Sequence, residues 1–374
     1  MQNRVVLRNL KRTNEEVIDL VIEDGIVADI AEAGSGAGDQ LLDRSGLYVS
    51  SGWIDMHVHA FPEMDPYGDD VDSIGVNLGV TTVVDAGSCG ADRIAELAAS
   101  RERSKTNLLA FLNISRIGLA RIDELSKLEW IDGARVNQAA RDYPELIVGL
   151  KARMSKSVVG DSGIEPLHIA RLLSDETELP IMVHIGSGPP AIEELMPLLR
   201  QGDIVTHYLN GKRNNLFDAE GEPLPVLLDA VRRGVHLDVG HGTASFSFRI
   251  AEAARRHGVP LHTISTDIYR GNRLNGPVYS MAQVLTKFLY LGYSLEQVIE
   301  AVTTRPADWL DKPELGRIRI GEPANLTLFA VRDEPTELID SEGETRIAEQ
   351  RIEAKGVFVH HEFLECQVWP EARH

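Results

Sequence analysis

Two histidines separated by one residue, His57 and His59, end a short apolar run near the start of the chain. Side chains two residues apart on a β-strand point to the same side of the sheet. The two imidazoles would therefore project together, and neutral imidazole is the commonest nitrogen ligand of metal ions in proteins. An isolated pair of this kind also fits two histidines that merely pack at a strand end, so the rest of the chain must distinguish these interpretations.

Four further residues with metal-binding or charged side chains stand at the ends of later apolar runs. They are Lys151, His184, His207 and Asp267. Any one of them could be an ordinary packed or surface residue. Because all six occupy equivalent positions in their runs, the set predicts one shared metal site.

Lys151 is unusual in this set because it ends the apolar run "IVGLKA". An ammonium group there would be desolvated, which lowers the pKa of a lysine and exposes the neutral amine. A neutral amine can add carbon dioxide to form a carbamate, an anion with two oxygens that is able to bridge two metal ions. A salt bridge to a carboxylate of the barrel is the alternative for this lysine.

The elements that carry these residues alternate regularly between residues 53 and 311. Eight short apolar runs, from "GWIDM" to "LHTISTD", are separated by amphipathic stretches such as "ADRIAELAASRER" and "EPLHIARLLSDE". Eight strand–helix units predict the α/β class and a (β/α)8 TIM barrel. In such a barrel, chemistry is done at the carboxyl ends of the strands, which is where the six residues fall.

The two ends of the chain have a different pattern. Residues 1–52 and 312–374 are rich in β-branched residues and polar turns, as in "VIDLVIEDGIVADI" and "NLTLFAV". We expect them to form one small β-sandwich domain from both termini, with the barrel inserted between its halves.

Composition restricts the partners. The 374 residues carry a net charge of −19, from 38 basic and 57 acidic residues, which argues against nucleic acid or an anionic membrane surface. Two cysteines, no apolar signal segment and no run of 18 apolar residues predict a cytoplasmic protein that acts on a small molecule. A homo-oligomer is possible, because sheet edges and barrel helices could pair.

The chain resembles the amidohydrolase superfamily over essentially its whole length, on the segments "GWIDMHVH", "GVTTVVDAGS", "TTRPADWL" and "GRIRIGEPANLTLF". "GLKARMS", "VHIGSGP", "THYLNG", "LDVGHGTASFSF" and "STDIY" are most similar to its dihydroorotase-like branch of binuclear zinc deacetylases. The resemblance implies two Zn²⁺ ions, although other divalent metals could occupy the same ligands. It implies that His57, His59 and Asp267 hold one ion, that His184 and His207 hold the other, and that a carbamate on Lys151 bridges them.

The reaction expected from this resemblance is metal-dependent hydrolysis of an acyl amide or ester. A hydroxide shared by two divalent ions attacks the carbonyl, and Asp267 takes the proton and passes it to the leaving group. Deacetylation of a small N-acetyl or O-acetyl carboxylate is the first hypothesis. A cyclic amidase of the dihydroorotase or hydantoinase type is the alternative. A non-catalytic scaffold is a third reading, and the full ligand set argues against it.

Four residues are candidates for substrate binding. Arg153 lies two residues after Lys151 and could clamp a carboxylate, or it could be ion-paired within the protein. Tyr208 and Asn210 follow His207 and could reach the pocket. His241 lies between glycines after the seventh apolar run, where it could bond to the substrate, or simply support the loop.

One position departs from the pattern of the dihydroorotases that this chain resembles. They carry an arginine two residues after the second histidine to bind the substrate carboxylate, and Phe61 stands there in this chain. This weakens dihydroorotate as a substrate. Phe61 and Phe246 would suit an apolar substituent near the acyl group, and Arg270 and Asn272 are weaker candidates for substrate contacts.

Overall fold

The computed structural model describes residues 4–367, which form a parallel barrel and a β-sheet that draws strands from both ends of the chain. The strands before the barrel are β1 (Arg4–Lys11), β2 (Val17–Glu23), β3 (Ile26–Glu32), β4 (Gln40–Asp43) and β5 (Tyr48–Ser51). The barrel strands are β6 (Trp53–Val58), β7 (Val80–Ala86), β8 (Asn107–Asn113), β9 (Ile147–Met154), β10 (Ile181–Ile185), β11 (Ile204–Thr206) and β12 (His236–Asp238). The strands after it are β13 (Leu326–Arg332), β14 (Thr336–Ile339), β15 (Thr345–Ala348), β16 (Arg351–Val359) and β17 (Glu362–Glu365).

Helices follow most of the barrel strands and cover them. They are α1 (Val71–Ile74), α2 (Ile94–Arg101), α3 (Gly133–Asp142), α4 (Lys156–Val159), α5 (Glu165–Thr177), α6 (Ile192–Leu195), α7 (Pro225–Arg232), α8 (Phe248–Arg256), α9 (Arg270–Asn275), α10 (Met281–Tyr290), α11 (Leu295–Glu300) and α12 (Thr304–Trp309). None of the helices within residues 4–367 is long and apolar enough to span a bilayer.

The predicted barrel is confirmed, with strands β6 to β12 adjacent to one another in chain order and parallel. These strands are apolar along nearly their whole length because both of their faces are buried, one against the barrel interior and the other against helices. The carboxyl ends of all seven strands therefore open on one face of the barrel.

The eighth predicted strand, residues 261–267, is reduced to two isolated parallel bridges. Thr263 pairs with Asp238 of β12, and Ile268 pairs with Val58 of β6. The backbone N–H of Asp267 donates to the carbonyl of His57 at 2.7 Å, so the segment still closes the barrel between its first and last strands.

The backbone of this segment departs from a regular strand because of Asp267 itself. Asp267 has a φ of 51°, which is left-handed and interrupts extended geometry. The preceding N–H, that of Thr266, donates to the side-chain carboxylate of Asp55 on β6 and not to a backbone carbonyl of that strand. The sequence pattern does not reveal either feature, which is why it predicts a full strand.

The predicted β-rich unit from both termini is also confirmed. Its eight-stranded sheet runs β17–β16–β13–β5–β1–β2–β3, with β4 added beside β1. The two ends of the chain meet where β5 pairs antiparallel with β13, and side chains such as Leu7, Leu20 and Leu328 form a separate buried cluster. The boundaries at residues 52 and 312 stay a prediction, and residues 1–3 and 368–374 of the predicted sandwich lie outside the described residues.

The hairpin of β14 and β15 belongs to the barrel side of the molecule. It forms its own two-stranded sheet, and its buried Leu338 and Ala348 join the large barrel core. Arg346 on β15 donates to Glu252 of α8 at 2.9 Å. The hairpin thus covers the barrel near α8 and α10, next to the loop that follows β12.

Candidate active site

The candidate site centres on the carboxylate of Asp267. Its Oδ1 lies 3.4 Å from Nε2 of His57 and 3.1 Å from Nε2 of His59. Burial disfavours ionisation of Asp267, but the neighbouring imidazoles and a hydrogen bond to His59 outweigh that effect and hold its pKa below the usual value. Asp267 is therefore an anion that faces two imidazole nitrogens.

Two more histidines extend this cluster. The ring of His207 lies 5.0 Å from the ring of His57 and 4.5 Å from the ring of His184, measured between centroids. One ligand atom each from His57, His207 and Asp267 all lie within 4.8 Å of one another. His184 thus joins the cluster through His207.

Lys151 completes the set of six residues. Its Nζ lies 3.4 Å from Nε2 of His57 and 3.2 Å from Sδ of Met182. No carboxylate of the described residues is within ion-pair distance of Nζ, so the alternative of a salt bridge is not seen. Complete burial lowers the pKa of Lys151 to about 7, which makes the neutral amine readily available.

Hydrogen bonds behind the rings determine which nitrogen faces the centre. Nδ1 of His207 is 2.6 Å from the carbonyl of Gly240, which can only accept. Nδ1 of His57 is 2.9 Å from Oγ1 of Thr206, whose own proton goes to Asp238 at 2.7 Å. Both Nδ1 atoms therefore carry the proton, and both Nε2 atoms present a lone pair to the cluster.

Burial also keeps these rings uncharged. It lowers the pKa of His57 and lowers the pKa values of His184 and His207 far below their ordinary value. Nε2 of His207 is buried and has no hydrogen-bond partner among residues 4–367, which is rare for a buried polar atom. Neutral imidazoles with inward lone pairs, an ionised carboxylate and an unpaired buried nitrogen fit a divalent metal ion.

Two of the candidate ligands sit on a strained backbone. His207 and Asp267 have φ angles of 69° and 51°. Such left-handed backbone costs about 1–3 kcal/mol for residues other than glycine. Gly242 allows the carboxylate of Asp267 to pack closely against its backbone, because a Cβ at this position would clash with Oδ2. Strained residues that meet at one point are typical of functional sites.

The residues predicted to bind substrate differ in their freedom to do so. Nη1 of Arg153 lies 3.4 Å from the buried carboxylate of Glu124, so it is ion-paired. Tyr208 is buried in the barrel core. The side-chain amide of Asn210 donates to the carbonyl of His207, and its oxygen accepts from the N–H of Lys212.

His241 has both ring nitrogens occupied by protein atoms. Nδ1 lies 2.9 Å from the carbonyl of Gly242, and Nε2 lies 2.7 Å from Nζ of Lys287. Its ring also stacks on Phe246 at 4.5 Å. Substrate contacts by Arg153, Tyr208, Asn210 and His241 stay a prediction. For His241, the hydrogen bonds favour the alternative that it supports the loop.

The remaining candidates lie around the edge of the site. Phe61 is buried beneath the guanidinium of Arg93 at 4.5 Å. Asn272 donates to the backbone carbonyl of Asp267 at 2.9 Å and so helps to fix the backbone of this residue. The side chain of Arg270 is half exposed and lies 3.9 Å from Asp69.

Sequence reasoning missed Asp238 and Thr206, which hold His57 through its outer nitrogen. Asp238 ends β12 and also accepts hydrogen bonds from Thr263 and Ser265. An aspartate in the apolar run "VHLDVG" was the available signal, because a buried carboxylate needs several donors.

Comparison with known proteins now adds to this geometry. The sequence profile described as "Deacetylase-like composite domain" matches residues 318–356. A deacetylase of Enterococcus faecalis is 41% identical over 355 residues, which cover 94% of this chain and 96% of that protein. A deacetylase of Agrobacterium fabrum is 33% identical over 100% of this chain and 95% of its own length.

The chain belongs to the deacetylase-like family.

Solved structures share the fold of this chain. A crystal structure titled as an adenine deaminase has a TM-score of 0.93 at 39% identity, covering 97% of this chain and 100% of that chain. One titled as a dihydroorotase has a TM-score of 0.90 at 32% identity, covering 98% of this chain and 100% of the other. These neighbours are TIM-barrel proteins of the amidohydrolase superfamily, and together with the named deacetylases they identify the chain as a hydrolase.

Proposed function

We propose that this hydrolase is a metal-dependent deacetylase, which cleaves the acyl amide or ester bond of a small N-acetyl or O-acetyl carboxylate. The observation that carries the proposal is the cluster itself: Nε2 of His57 and Nε2 of His59 lie beside the carboxylate of Asp267, and a ring nitrogen of His207 lies within 4.8 Å of the ligand atoms of His57 and Asp267. The named deacetylases at 41% and 33% identity support acetyl as the acyl group that is removed.

Two metal ions, with zinc preferred, would be held by this chain's own side chains. We assign His57, His59 and Asp267 to one ion and His184 and His207 to the other. Such ions lower the pKa of water and polarise a carbonyl oxygen when they are bound.

Lys151 would serve as a bridging ligand after reaction with carbon dioxide. The lone pair of Nζ forms a bond to the carbon of CO2, one C=O π pair moves to oxygen, and a proton leaves Nζ for solvent. Burial favours the uncharged amine that this step requires, and the missing carboxylate partner leaves Nζ free to react.

Asp267 is the proposed proton carrier. Its Oδ1 faces His57 and His59, and its Oδ2 packs against Gly242. Oδ2 would take the proton of the attacking water and deliver it to the nitrogen or oxygen of the leaving group. The products would be acetate and a free amino or hydroxy acid.

Cyclic amide hydrolysis is the second candidate, because a structure titled as a dihydroorotase shares a TM-score of 0.90 with this chain. Phe61 is uncharged at the position where the dihydroorotases that this chain resembles carry an arginine, and the guanidinium of Arg93 above its ring is already paired with Glu96. Deacetylation remains the preferred proposal.

Acid release from a substrate panel tests the proposal. Protein loaded with zinc in bicarbonate would be offered N-acetyl amino acids of both hands and O-acetyl α-hydroxy acids, against dihydroorotate, hydantoins and dihydrouracil. We expect acetate release without ring opening, and its loss in a His207→Asn variant. Ring opening alone, or no acetate release from any acetylated compound by the metal-loaded protein, would contradict the proposed deacetylase.

A further inference from the structure

Lys212 is a cation beside the candidate metal site that the sequence analysis did not single out. It lies in the loop after β11, five residues beyond His207. Its N–H donates to Oδ1 of Asn210 at 3.0 Å, and its carbonyl accepts from Nδ2 of Asn215 at 2.7 Å. Because Asn210 also bonds to the carbonyl of His207, the backbone of Lys212 is held in a fixed relation to that histidine.

The ammonium group of Lys212 and the ring of His184 both lie beside Gly186. A Cβ built on Gly186 would lie 3.5 Å from Nζ of Lys212 and 3.4 Å from Nε2 of His184. The two nitrogens therefore lie within about 7 Å of each other, since each is within 3.5 Å of the same point beside Gly186. A ligand that reaches His184 from this side would meet the ammonium group.

The charge of Lys212 is compensated only at a distance, by the carboxylate of Asp267, and not by a direct partner. Its side chain is half buried, and Nζ has no ion-pair or hydrogen-bond partner within the described part of the chain. Arg153, the other cation near the site, already faces the buried carboxylate of Glu124. Since a desolvated charge is costly without a counter-ion, Lys212 is the cation with unused capacity for an anion.

We infer that Lys212 binds the carboxylate of the substrate, so that the enzyme selects acyl compounds that carry a carboxylate next to the scissile bond. This inference rests on the proposed function. The ammonium group is a compact point charge with three donors, which suits a single carboxylate. His184 and Lys212, which both lie beside Gly186, would orient the substrate between the metal site and the cation.

Matched pairs of substrates test this role. For each N-acetyl amino acid, kcat and KM would be compared with those of the corresponding N-acetyl amino acid amide, which lacks the negative charge. Lys212→Met should lower kcat/KM for the acid about 10- to 100-fold, mainly through KM, and change it less than about two-fold for the amide. Lys212→Arg should restore part of the preference for the acid.

Lys156→Met is the control, since it removes the same charge from an exposed lysine. The backbone N–H of Lys156 donates to the carbonyl of Ser187, which follows Gly186. This variant should leave the preference intact. Equal losses on acid and amide in Lys212→Met, or a loss of bound metal in that variant, would overturn the inference.

Calorimetric binding of lactate and of lactamide to the zinc-loaded protein separates this inference from the proposed function, because it needs no turnover. Lactate should bind at least about ten-fold more tightly than lactamide, and Lys212→Met should abolish the difference. If the protein deacetylates nothing but this difference is present and depends on Lys212, the anion site stands and the proposed reaction fails. Equal binding of the two compounds would refute the anion site.

Discussion

At the scale of single residues, the hydrogen bonds made by Nδ1 of the histidines determine which ring nitrogen is available to a metal ion. Thr206 accepts from Nδ1 of His57 and donates to Asp238, which leaves Nε2 unprotonated toward the cluster. A ligand held in one tautomer and orientation binds metal more tightly than a free side chain does. The residues behind the ligands should therefore influence metal affinity without contacting the metal.

Thr206→Val tests this idea, because valine keeps the shape but removes the hydroxyl. We expect metal affinity to fall about 10- to 100-fold as His57 loses its orienting partner. Competition with a chelator of known affinity measures the change. Thr177→Val, which removes a hydroxyl bonded to the carbonyl of Leu173 in α5, should leave metal affinity unchanged. Equal affinities in Thr206→Val and the wild type would contradict the idea.

Asp267→Asn tests the proton-carrying role. Asparagine tolerates left-handed backbone as aspartate does, so the φ of 51° should persist and the barrel should stay folded. We expect kcat for an acetylated substrate to fall about 100- to 10,000-fold. Circular dichroism checks the fold, and retention of full kcat would rule out the assignment.

Glu124 predicts a pH dependence of stability. Burial raises the pKa of this carboxyl to about 7 although Arg153 opposes the shift, so the folded protein keeps the proton that the unfolded chain releases near its ordinary value of 4.5. The contribution of the protonated Glu124 to the free energy of unfolding is therefore complete below about pH 4.5 and is lost as the pH rises toward 7. Glu124→Gln should gain Tm relative to the wild type between pH 5 and pH 8.

Calorimetric melting at several pH values checks this prediction. The exposed Glu129, which lies in the same segment, provides the control Glu129→Gln, whose Tm difference from the wild type should not change with pH. A Tm difference for Glu124→Gln that stays constant from pH 5 to pH 8 would refute a raised pKa at this site.

At the scale of elements, the β14–β15 hairpin is joined to the active-site loop through α10. Nζ of Lys287 on α10 lies 2.7 Å from Nε2 of His241, and it also donates to the carbonyl of Ile339 at 2.6 Å. Beyond β14, Ser341 donates to the carbonyl of Gly242 at 3.1 Å. A strand pair from the C-terminal part of the chain thus supports the loop that borders Asp267.

Lys287→Met should loosen this attachment. The change removes three hydrogen bonds, to Nε2 of His241 and to the carbonyls of Pro277 and Ile339, and should lower Tm by at least about 4 °C. Hydrogen exchange should increase in residues 336–348 and 240–248 before it increases in the barrel strands. Lys156→Met is a matched control on the surface. Unchanged exchange in the hairpin would show that Lys287 does not hold it.

At the scale of the whole molecule, the six candidate ligands tie together distant parts of the barrel. They come from β6, β9, β10, the end of β11 and the segment that closes the barrel. A metal ion bound by them would therefore stabilise the barrel as a unit, because it binds only the folded arrangement.

Metal removal should accordingly destabilise the entire protein. Chelation should lower Tm by about 5–10 °C, and zinc with bicarbonate should restore it. Asp267→Asn should show a smaller difference between the metal-loaded and stripped forms, because one ligand is weakened. If stripped and loaded wild-type proteins melt at the same temperature, these residues do not hold a metal in the folded protein.

Much of the architecture could be predicted from the sequence, because it depends on local patterns. Apolar runs that alternate with amphipathic stretches predict parallel strands covered by helices, and β-branched runs at both ends predict the terminal sheet. The positions of His57, Lys151 and Asp267 in those runs follow from the same patterns, since a strand end in a parallel barrel always opens on one face.

Only the tertiary structure decided how individual polar groups are satisfied. Whether Lys151 is paired, whether His241 has a free nitrogen, and where the ammonium group of Lys212 lies all depend on partners that are dozens of residues away in the chain. The isolated bridges in place of an eighth strand likewise depend on the left-handed backbone of Asp267. Sequence periodicity records which side of an element is buried, but hydrogen bonds and charges between distant residues leave no periodic trace, and here they determine which side chains remain free for chemistry.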